Sequence, residues 1–595
     1  MHYDKTVKGI MILIISVLII LSISINPSKG TQLDNFIYGN SIIGLIGIGI
    51  IYCMIERVSK ISDKRLLICA TILGIFFANC LIIGNSINCY FDLSGILASK
   101  TTIIKTISKL ISYTIILSCT IIIIFDFFNK KIECADINNE KNRILKLFST
   151  NRKVFFICWM LIFIAWIPYF LKYYPGIVTP DSVDQIKQAL GISTLNAHHP
   201  ILHTIIIKCA MTIGSFIKNQ NAGIAIYSII QMLSMSAIFA FSIYYMSKKQ
   251  IPVGIRIISL FFFALYPVNS MYSITMWKNI LSAGCILLFL ICITEISINT
   301  EKFFKSKLKI IIMIIISLLI IYLLNNGIYI IILTLPFLFF KAKNNTKKMF
   351  FICFTIIIIT SMINVLIFSS LNIKKGSIRE ALSIPLQQFA RTIKYRENDL
   401  TNEEKNIIHK FLPSNNLSEL YNPTLSDPVK KEFNDEYFKE NKLEFVVIWA
   451  KLFLKFPLEY VEAFLCNCYG YWYPNAQNWV VSRTITEDSQ LDIHQESKIS
   501  SDIIKRIDSL IDRRDIPVLG MTYSLGLMFW LVLMALMYCI YKKSYNLILI
   551  YIPICILWCT VIASPVFCEF RYLYGMVVSM PLLLSMPLLT RKKVE

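Results

Sequence analysis

Two aspartates, Asp181 and Asp184, lie three residues apart and are the first candidate reactive side chains in the sequence. Thr179 is a favourable N-cap and Gly191 a favourable helix end, so the sequence predicts a helix over residues 180–190. On such a helix the two carboxylates are neighbours, and Asp181 stays ionised near the positive end of the helix dipole. Both acids can therefore act on one ligand. The alternative is that Asp181 only caps the helix.

Further residues of ligand-binding types stand at the ends of apolar segments or in a long polar segment. They are His198, His199, Trp277, Lys278, Asn326, Gln387, Arg391, Glu569, Arg571 and Tyr572. Arginine and lysine can bind phosphate, with arginine favoured for two parallel hydrogen bonds. Histidine can donate a proton near neutral pH.

Each of these residues also has a structural interpretation. Trp277 can anchor a helix at a membrane interface, and Asn326 belongs to an Asn-Asn-Gly sequence that is typical of a tight turn. His199 precedes a proline and can stabilise a turn. Glu569 and Arg571 can form an ion pair that only holds the fold together.

The composition indicates that these residues are positioned by a membrane protein and not by a soluble domain. Of 595 residues, 56% are hydrophobic and only 16% charged, and the mean hydropathy is +0.62. A soluble globular domain has roughly 25% charged residues, so a soluble enzyme is excluded. The net charge of +22 does not indicate nucleic-acid binding, because in a membrane protein basic residues collect in cytoplasmic loops.

Apolar runs predict an all-α polytopic membrane protein with about fourteen transmembrane helices. The predicted spans are 9–25, 41–55, 66–84, 102–125, 154–171, 222–246, 252–268, 279–297, 310–324, 327–340, 349–370, 519–541, 544–563 and 572–589. The apolar stretch 200–217 is predicted to be re-entrant or interfacial, because a further span there would place every later basic loop outside.

The basic loops predict the orientation. With the N-terminus inside, the basic clusters all become cytoplasmic, as the positive-inside rule requires; these are 57–65, 130–153, 248–256, 302–309, 341–348, 542–543 and 591–593. Both termini are then cytoplasmic in a cell membrane, and the candidate residues gather on the outer face.

Four regions follow from these spans. Residues 1–153 form a four-helix membrane region with a cytoplasmic linker, and 154–370 form a transmembrane core with an external acidic loop at 172–221. Residues 371–515 form an external, mostly helical region, with amphipathic helices predicted at 378–394 and 443–464. Residues 516–595 form a three-helix C-terminal membrane region.

An acidic residue in an early external loop, many spans and a later external region together resemble the GT-C superfamily of membrane glycosyltransferases. At motif level the resemblance rests on Asp181 and on Glu569-Phe570-Arg571-Tyr572. The wider residue set, from Asp181-Ser182 and His199-Pro200 to Trp277-Lys278 and Gln387 with Arg391, looks like a family of uncharacterised multi-pass proteins of Gram-positive bacteria. Four predicted spans precede the one that leads into the acidic loop here, whereas the superfamily usually has a single helix before that loop.

The resemblance implies a reaction. Asp181 would be the general base, with Asp184 and His199 beside it, and the remaining candidates would bind a polyprenyl-phosphate-linked sugar. The acceptor would be a glycan, a lipid or a protein, and the partners would include membrane lipids but no nucleic acid. Ser182 replaces the second acid of many relatives, so a divalent cation, Mg²⁺ or Mn²⁺, is optional.

Two other classes of function remain open from the sequence. A transporter or flippase for an anionic lipid or glycan would place ionisable residues and broken helices near the bilayer midplane. A non-catalytic envelope-assembly protein would use 371–515 for docking and would tolerate substitution of Asp181.

Overall fold

A computed structural model describes residues 2–24, 42–134, 152–370, 378–500, 502–509, 511–513 and 518–591, together with 373, 376 and 516. Within these ranges the chain is helical, and no strand occurs beyond isolated β-bridges. The predicted all-α class is therefore confirmed for this part of the chain. The basic residues of 135–151 and 592–593, which are predicted to be cytoplasmic, lie outside the described residues.

The helices follow the chain in four groups. The first contains His2–Ser24, Ile42–Val58, Lys64–Tyr90, Ser94–Leu97 and Lys100–Cys134. The second contains Lys153–Lys172, Pro180–Ala189, Ile201–Phe216, Gln220–Lys248, Val253–Leu265, Pro267–Ser273, Lys278–Ile298, Thr300–Lys305, Lys307–Leu323, Gly327–Ala342 and Thr346–Ser370. The third contains Ser383–Arg396, Asn402–Phe411, Leu417–Leu420, Asp427–Lys431, Asp435–Glu440, Lys442–Lys455, Pro457–Cys468 and Asp502–Ser509. The fourth contains Leu525–Tyr541, Tyr545–Ile548, Ile552–Ala563 and Tyr574–Ser585.

Several of these helices are long and apolar enough to cross a membrane. Among the described residues there are nine such segments, or up to ten if the pair Val253–Leu265 and Pro267–Ser273, bent by 52°, is one span. They indicate a membrane protein. The predicted count of fourteen is not confirmed, because helices such as Ile42–Val58 and Lys307–Leu323 have only 17 residues. Such helices extend about 26 Å, slightly less than the ~30 Å hydrocarbon layer.

One of the nine segments, 327–366, folds back on itself. The helices Gly327–Ala342 and Thr346–Ser370 are joined by a short turn at Lys343, which has a positive φ of 38°. Tyr329 and Thr360 line the same cavity, although about 46 Å would separate them along one straight helix. The segment is therefore a hairpin of two helices, as the separate predicted spans 327–340 and 349–370 require.

The apolar stretch 200–217 forms the helix Ile201–Phe216, which has 16 residues. It extends about 24 Å, which is short for a membrane span. The helix packs against both Pro180–Ala189 and Gln220–Lys248. That this stretch is re-entrant or interfacial stays a prediction.

Basic residues from separate predicted cytoplasmic loops meet at one end of the bundle. Lys249 and Lys309 both pair with Glu295, with Nζ–Oε distances of 2.5 and 2.6 Å. Glu295 lies in the last turns of the helix Lys278–Ile298, whereas Lys278 begins that helix about 26 Å away. The two ends of the bundle thus carry different groups: paired basic loops at one, and Lys278 at the other.

Within the segment 378–500, residues 382–460 form their own apolar core, in which Phe389 of helix Ser383–Arg396 packs against Phe445 of helix Lys442–Lys455. The predicted amphipathic helix 378–394 is confirmed, beginning as a 3₁₀ turn at Ile378–Leu382. The predicted helix 443–464 is two helices, because Pro457 starts a new one after Phe456.

Candidate functional site

The helix predicted within the acidic loop 172–221 is present as Pro180–Ala189, with Thr179 at its N-cap position. An isolated β-bridge fixes the backbone just before this helix. The N–H of Ile177 donates to the carbonyl oxygen of Ile274 at 2.9 Å, and the N–H of Met276 donates to the carbonyl oxygen of Ile177 at 3.0 Å. The start of this helix is thereby fixed beside the start of helix Lys278–Ile298.

Thr179 does not cap the helix with its side chain, contrary to the simplest N-cap expectation. Its hydroxyl oxygen instead accepts a hydrogen bond of 2.7 Å from the indole N–H of Trp277. Ser182, one turn on, donates to the carbonyl oxygen of Met276 at 2.5 Å. Trp277 is only 2% exposed, so it is a buried side chain that links the two helix starts and not a membrane-surface anchor.

A second backbone bridge positions the last turn before the C-terminal helix. Trp479 donates to the carbonyl oxygen of Cys568, and Phe570 donates to that of Trp479, both at 3.0 Å. The ring of Trp479 lies 5.6 Å from that of Trp277. The turn that carries Arg571 is in this way brought close to Trp277, and through Trp277 to Thr179 in the acidic loop 172–221.

Arg571 joins two carboxylates from distant parts of the sequence. Its Nη1 lies 3.0 Å from Oδ2 of Asp181, and its Nε forms an ion pair with Glu569. The guanidinium also lies 4.9 Å from the ring centre of Trp277 and 5.1 Å from that of Tyr572. The predicted Glu569–Arg571 pair is present, but it is part of a larger cluster that includes Asp181.

Lys278 and His199 form the other polar contact of the site. The ammonium group of Lys278 donates to Nδ1 of His199 at 3.1 Å, so the ring proton of neutral His199 is on Nε2. His199 is 2% exposed, and burial together with the charge of Lys278 lowers its pKa to about 3. His199 is therefore neutral at physiological pH and acts as a hydrogen-bonding group, not as a cation.

Asp181, Lys278 and Arg571 line a cavity of about 470 Å³ at the end of the bundle opposite the basic loops. Seven of the predicted site residues line it: Asp181, His198, Lys278, Asn326, Glu569, Arg571 and Tyr572. Asn326 also donates to the hydroxyl of Thr560 at 2.8 Å. Residues that are far apart in the sequence thus share one cavity, as the predicted topology requires.

The segment 378–500 contributes charges that sequence reasoning missed. Arg379, Glu380, Asp427, Lys430 and Lys431 all line the cavity. Lys430 is 5% exposed and pairs with Glu380 at 2.8 Å and with Asp427 at 2.7 Å. Their sequence gives little signal, because the whole segment carries both signs of charge.

The carboxyl groups of the site respond differently to their surroundings. Burial alone would raise the pKa of Asp181, but the positive charges of Arg571 and Lys278 outweigh burial and lower it. Burial dominates at Glu569 and raises its pKa, although Arg571 opposes the change. Asp181 is thus the acid that is held ionised.

Asp184 is exposed and does not line the cavity. Burial and the charge of Asp181 raise its pKa. Among the described residues no group of three or more histidine, cysteine or acidic side chains is arranged to hold a metal ion. Between Asp181 and Glu569 the position of a cation is taken by the guanidinium of Arg571.

Gln387 and Arg391 are not brought to the cavity. Arg391 forms a buried ion pair with Glu462 and donates to the carbonyl oxygen of Phe91 at 3.1 Å. Gln387 donates to the carbonyl oxygen of Asn422 at 2.8 Å. These bonds tie helix Ser383–Arg396 to its neighbours, so we leave both residues out of the proposed site.

A buried hydrogen-bonded chain behind the site also escaped sequence reasoning. The ring nitrogens of His203 lie 3.0 Å from Oε1 of Gln185 and 2.7 Å from the hydroxyl of Tyr227. Tyr227 donates to Gln231, whose amide donates to three carbonyl oxygens in 272–275 at 2.8 to 3.1 Å. The chain fixes the backbone that leads to Trp277. A histidine inside an apolar stretch was the available signal.

The sequence profile of a family described as "Family of unknown function (DUF6020)" matches residues 190–594, and the chain belongs to this family. The matched residues include Lys278, Lys430 and Arg571 but begin after Asp181. No curated protein and no solved structure matches the chain.

Proposed function

We propose that this DUF6020 family member is a membrane glycosyltransferase that moves a sugar from a polyprenyl-phosphate-linked donor to an envelope acceptor. One observation carries the proposal. The carboxylate of Asp181 shares a cavity with several cationic side chains, at the end of a bundle of apolar helices. Transfer from a lipid phosphate needs this combination, a base for the acceptor and positive charge for the leaving group.

Asp181 serves as the general base. It is held ionised by Arg571 and Lys278, which lower its pKa, and its side chain is 35% exposed, so an acceptor hydroxyl can reach it. The acceptor oxygen forms a bond to the anomeric carbon while the bond from that carbon to the phosphate oxygen breaks. The hydroxyl proton passes to Asp181, and the electron pair leaves with the lipid phosphate.

The cationic side chains bind the phosphate and stabilise the charge that grows on it. Lys278, Arg379, Lys430, Lys431 and Arg571 all line the cavity. Arg571 is held in place by Asp181 and Glu569 and by the ring of Trp277, so its remaining N–H groups are pre-oriented. Pre-oriented donors in a site of this kind act most strongly on charge that develops during the reaction.

We place the cavity on the outer face of the cytoplasmic membrane and both termini in the cytoplasm. The paired basic residues Lys249 and Lys309 lie at the opposite end of the bundle, which the positive-inside rule assigns to the cytoplasm. The ionisable groups of the site stand at a helix start rather than at mid-helix, which favours a transferase over a transporter.

The test uses purified full-length protein in lipid nanodiscs with radiolabelled polyprenyl-phosphate sugars. A transferase releases unlabelled polyprenyl phosphate and moves the label to another species, which thin-layer chromatography resolves. Movement of intact donor between membrane leaflets without cleavage would instead support a flippase and contradict the proposal.

A further inference from the structure

A second cavity, of about 560 Å³, adjoins the charged one. The two share three lining residues, His198, Asn325 and Glu380. The rest of its wall comes from Gly376, the segment that carries His199, and three apolar helices, Lys307–Leu323, Gly327–Ala342 and Thr346–Ser370. The second cavity therefore leads from the charged site towards the membrane-facing side of the bundle.

Two buried polar atoms of this wall have no hydrogen-bond partner among the described residues. They are Nε2 of His199, in a side chain 2% exposed, and the hydroxyl oxygen of Thr360, in a side chain 8% exposed. An unsatisfied buried polar group costs on the order of 1–3 kcal/mol, so most are paired in native proteins. Because Nδ1 of His199 accepts from Lys278, its Nε2 carries the ring proton and is a donor without a partner in the described part of the chain, on a residue that lines this cavity.

The same wall carries further neutral polar groups within the apolar helices. The hydroxyl of Tyr322 lies 3.0 Å from the carbonyl oxygen of Thr360 and 3.3 Å from Oδ1 of Asn364. Asn364 is exposed, about 24 Å along its helix from the basic residue Lys348. Polar side chains that face lipid are costly and usually mark a functional path.

We propose that the second cavity binds the neutral, polyhydroxylated headgroup of a membrane lipid, and that this lipid is the sugar acceptor. This inference rests on the proposed function. A hydroxyl both donates and accepts, so one sugar headgroup satisfies the donor Nε2 of His199 and the hydroxyl of Thr360 together. The rings of Tyr322 and Tyr329 add faces on which a sugar's C–H groups pack.

The membrane-facing wall explains why the acceptor is a lipid and not a soluble sugar. Tyr329 is 57% exposed and Asn364 is exposed, so the cavity opens between helices where acyl chains would lie. The shared residues His198 and Glu380 mark the border at which the acceptor hydroxyl meets the donor. There it loses its proton to Asp181 as it bonds to the anomeric carbon, and the lipid phosphate leaves from the charged side.

The test places a photoreactive benzophenone side chain at position 329 of the full-length protein. The protein is mixed with phosphatidylcholine vesicles that contain glucosyl-diacylglycerol or, separately, phosphatidylglycerol. We expect crosslinking to glucosyl-diacylglycerol, weakened about fivefold by Thr360→Val, the loss expected for one net hydrogen bond. Thr360→Ser, which keeps the hydroxyl, retains the crosslink.

Thr334→Val is the matched control. Thr334 is also a buried helix threonine, but its hydroxyl already donates to the carbonyl oxygen of Ile330 at 2.6 Å, and it lines neither cavity. Equal loss in both valine variants would overturn the proposal. Equal crosslinking to phosphatidylglycerol would show unspecific lipid contact, and full competition by free glucose would show a soluble ligand; either result also overturns it.

The crosslink and the transfer reaction fail independently. Crosslinking that depends on Thr360 in a protein without transfer would overturn the proposed function and leave a glycolipid site. Transfer without such crosslinking would overturn only the acceptor site. Asp181→Asn, in which transfer should stop, is expected to keep the crosslink.

Discussion

Arg571 is one of the cations that lower the pKa of Asp181, and Arg571→Ala tests this contribution directly. An arginine beside an aspartate lowers the carboxyl pKa by roughly 1–3 units. Asp181 keeps Lys278 as a second cation, so we expect the loss of Arg571 to raise the pKa of Asp181 only in part. Because the proposed base must be ionised, the acid limb of kcat/KM is expected to move to higher pH.

The rate at neutral pH falls as well. In the proposed reaction Arg571, held by Asp181 and Glu569, donates to the phosphate, and loss of one pre-oriented donor costs on the order of 10²–10³ in rate. Arg571→Lys keeps the charge but loses the planar fork, so we expect a neutral-pH loss of about tenfold with the acid limb nearly unchanged.

The assay is the initial rate of sugar transfer by purified protein, measured from acidic to alkaline pH. The amount of each variant in the membrane fraction and its elution in size-exclusion chromatography control for folding. A lower rate for Arg571→Ala with an unmoved acid limb would refute the coupling between Arg571 and Asp181. Disappearance of the Ala variant from the membrane would assign Arg571 to a structural pair with Glu569.

Three further predictions follow from the described contacts. In intact cells an impermeant thiol reagent should label Asp184→Cys but not Lys305→Cys, both on a background without reactive cysteines. The reason is that the two positions lie at opposite ends of the bundle. The reverse labelling pattern would invert the orientation. Arg391→Met should lower the free energy of unfolding by about 3–5 kcal/mol, measured by denaturant titration, because it leaves buried Glu462 unpaired. The double variant Arg391→Met with Glu462→Leu should recover most of that loss. An unchanged free energy of unfolding in the single variant would show that the pair is not structural. Chelation of divalent cations should leave transfer unchanged, because Arg571 already joins the acids of the cavity, whereas a loss restored by Mg²⁺ or Mn²⁺ would indicate a metal site.

Local signals and charge patterns predicted a substantial part of the site. The helix Pro180–Ala189 was predictable because Thr179 and Gly191 mark its ends. The meeting of Asp181, Lys278 and Arg571 was predictable because basic loops order the spans and leave these three residues at the opposite end. The charge pattern of the loops thus carries part of the information on which residues meet.

Contacts that depend on tertiary packing were not predictable. The hydroxyl of Thr179 is taken by Trp277, which lies 98 residues away, so the local capping rule fails. Arg391 looked like a ligand-binding residue, but its charge is used inside segment 378–500, where Glu462 is its partner. Lys430 could not be singled out, because a lysine on a short helix gives no sign that it will be buried.

The most direct measurement compares Asp181→Asn with Asp184→Asn in sugar transfer and in donor binding. Asn preserves the size of Asp181 but cannot accept the acceptor's proton, so we expect turnover to fall by about a hundredfold or more while binding of the polyprenyl-phosphate donor stays close to wild type. Asp184 is exposed and outside the cavity, so its variant should stay near wild type in both assays. Wild-type turnover in Asp181→Asn would contradict the assignment of Asp181 as the base and leave it as a partner of Arg571 that only holds the fold.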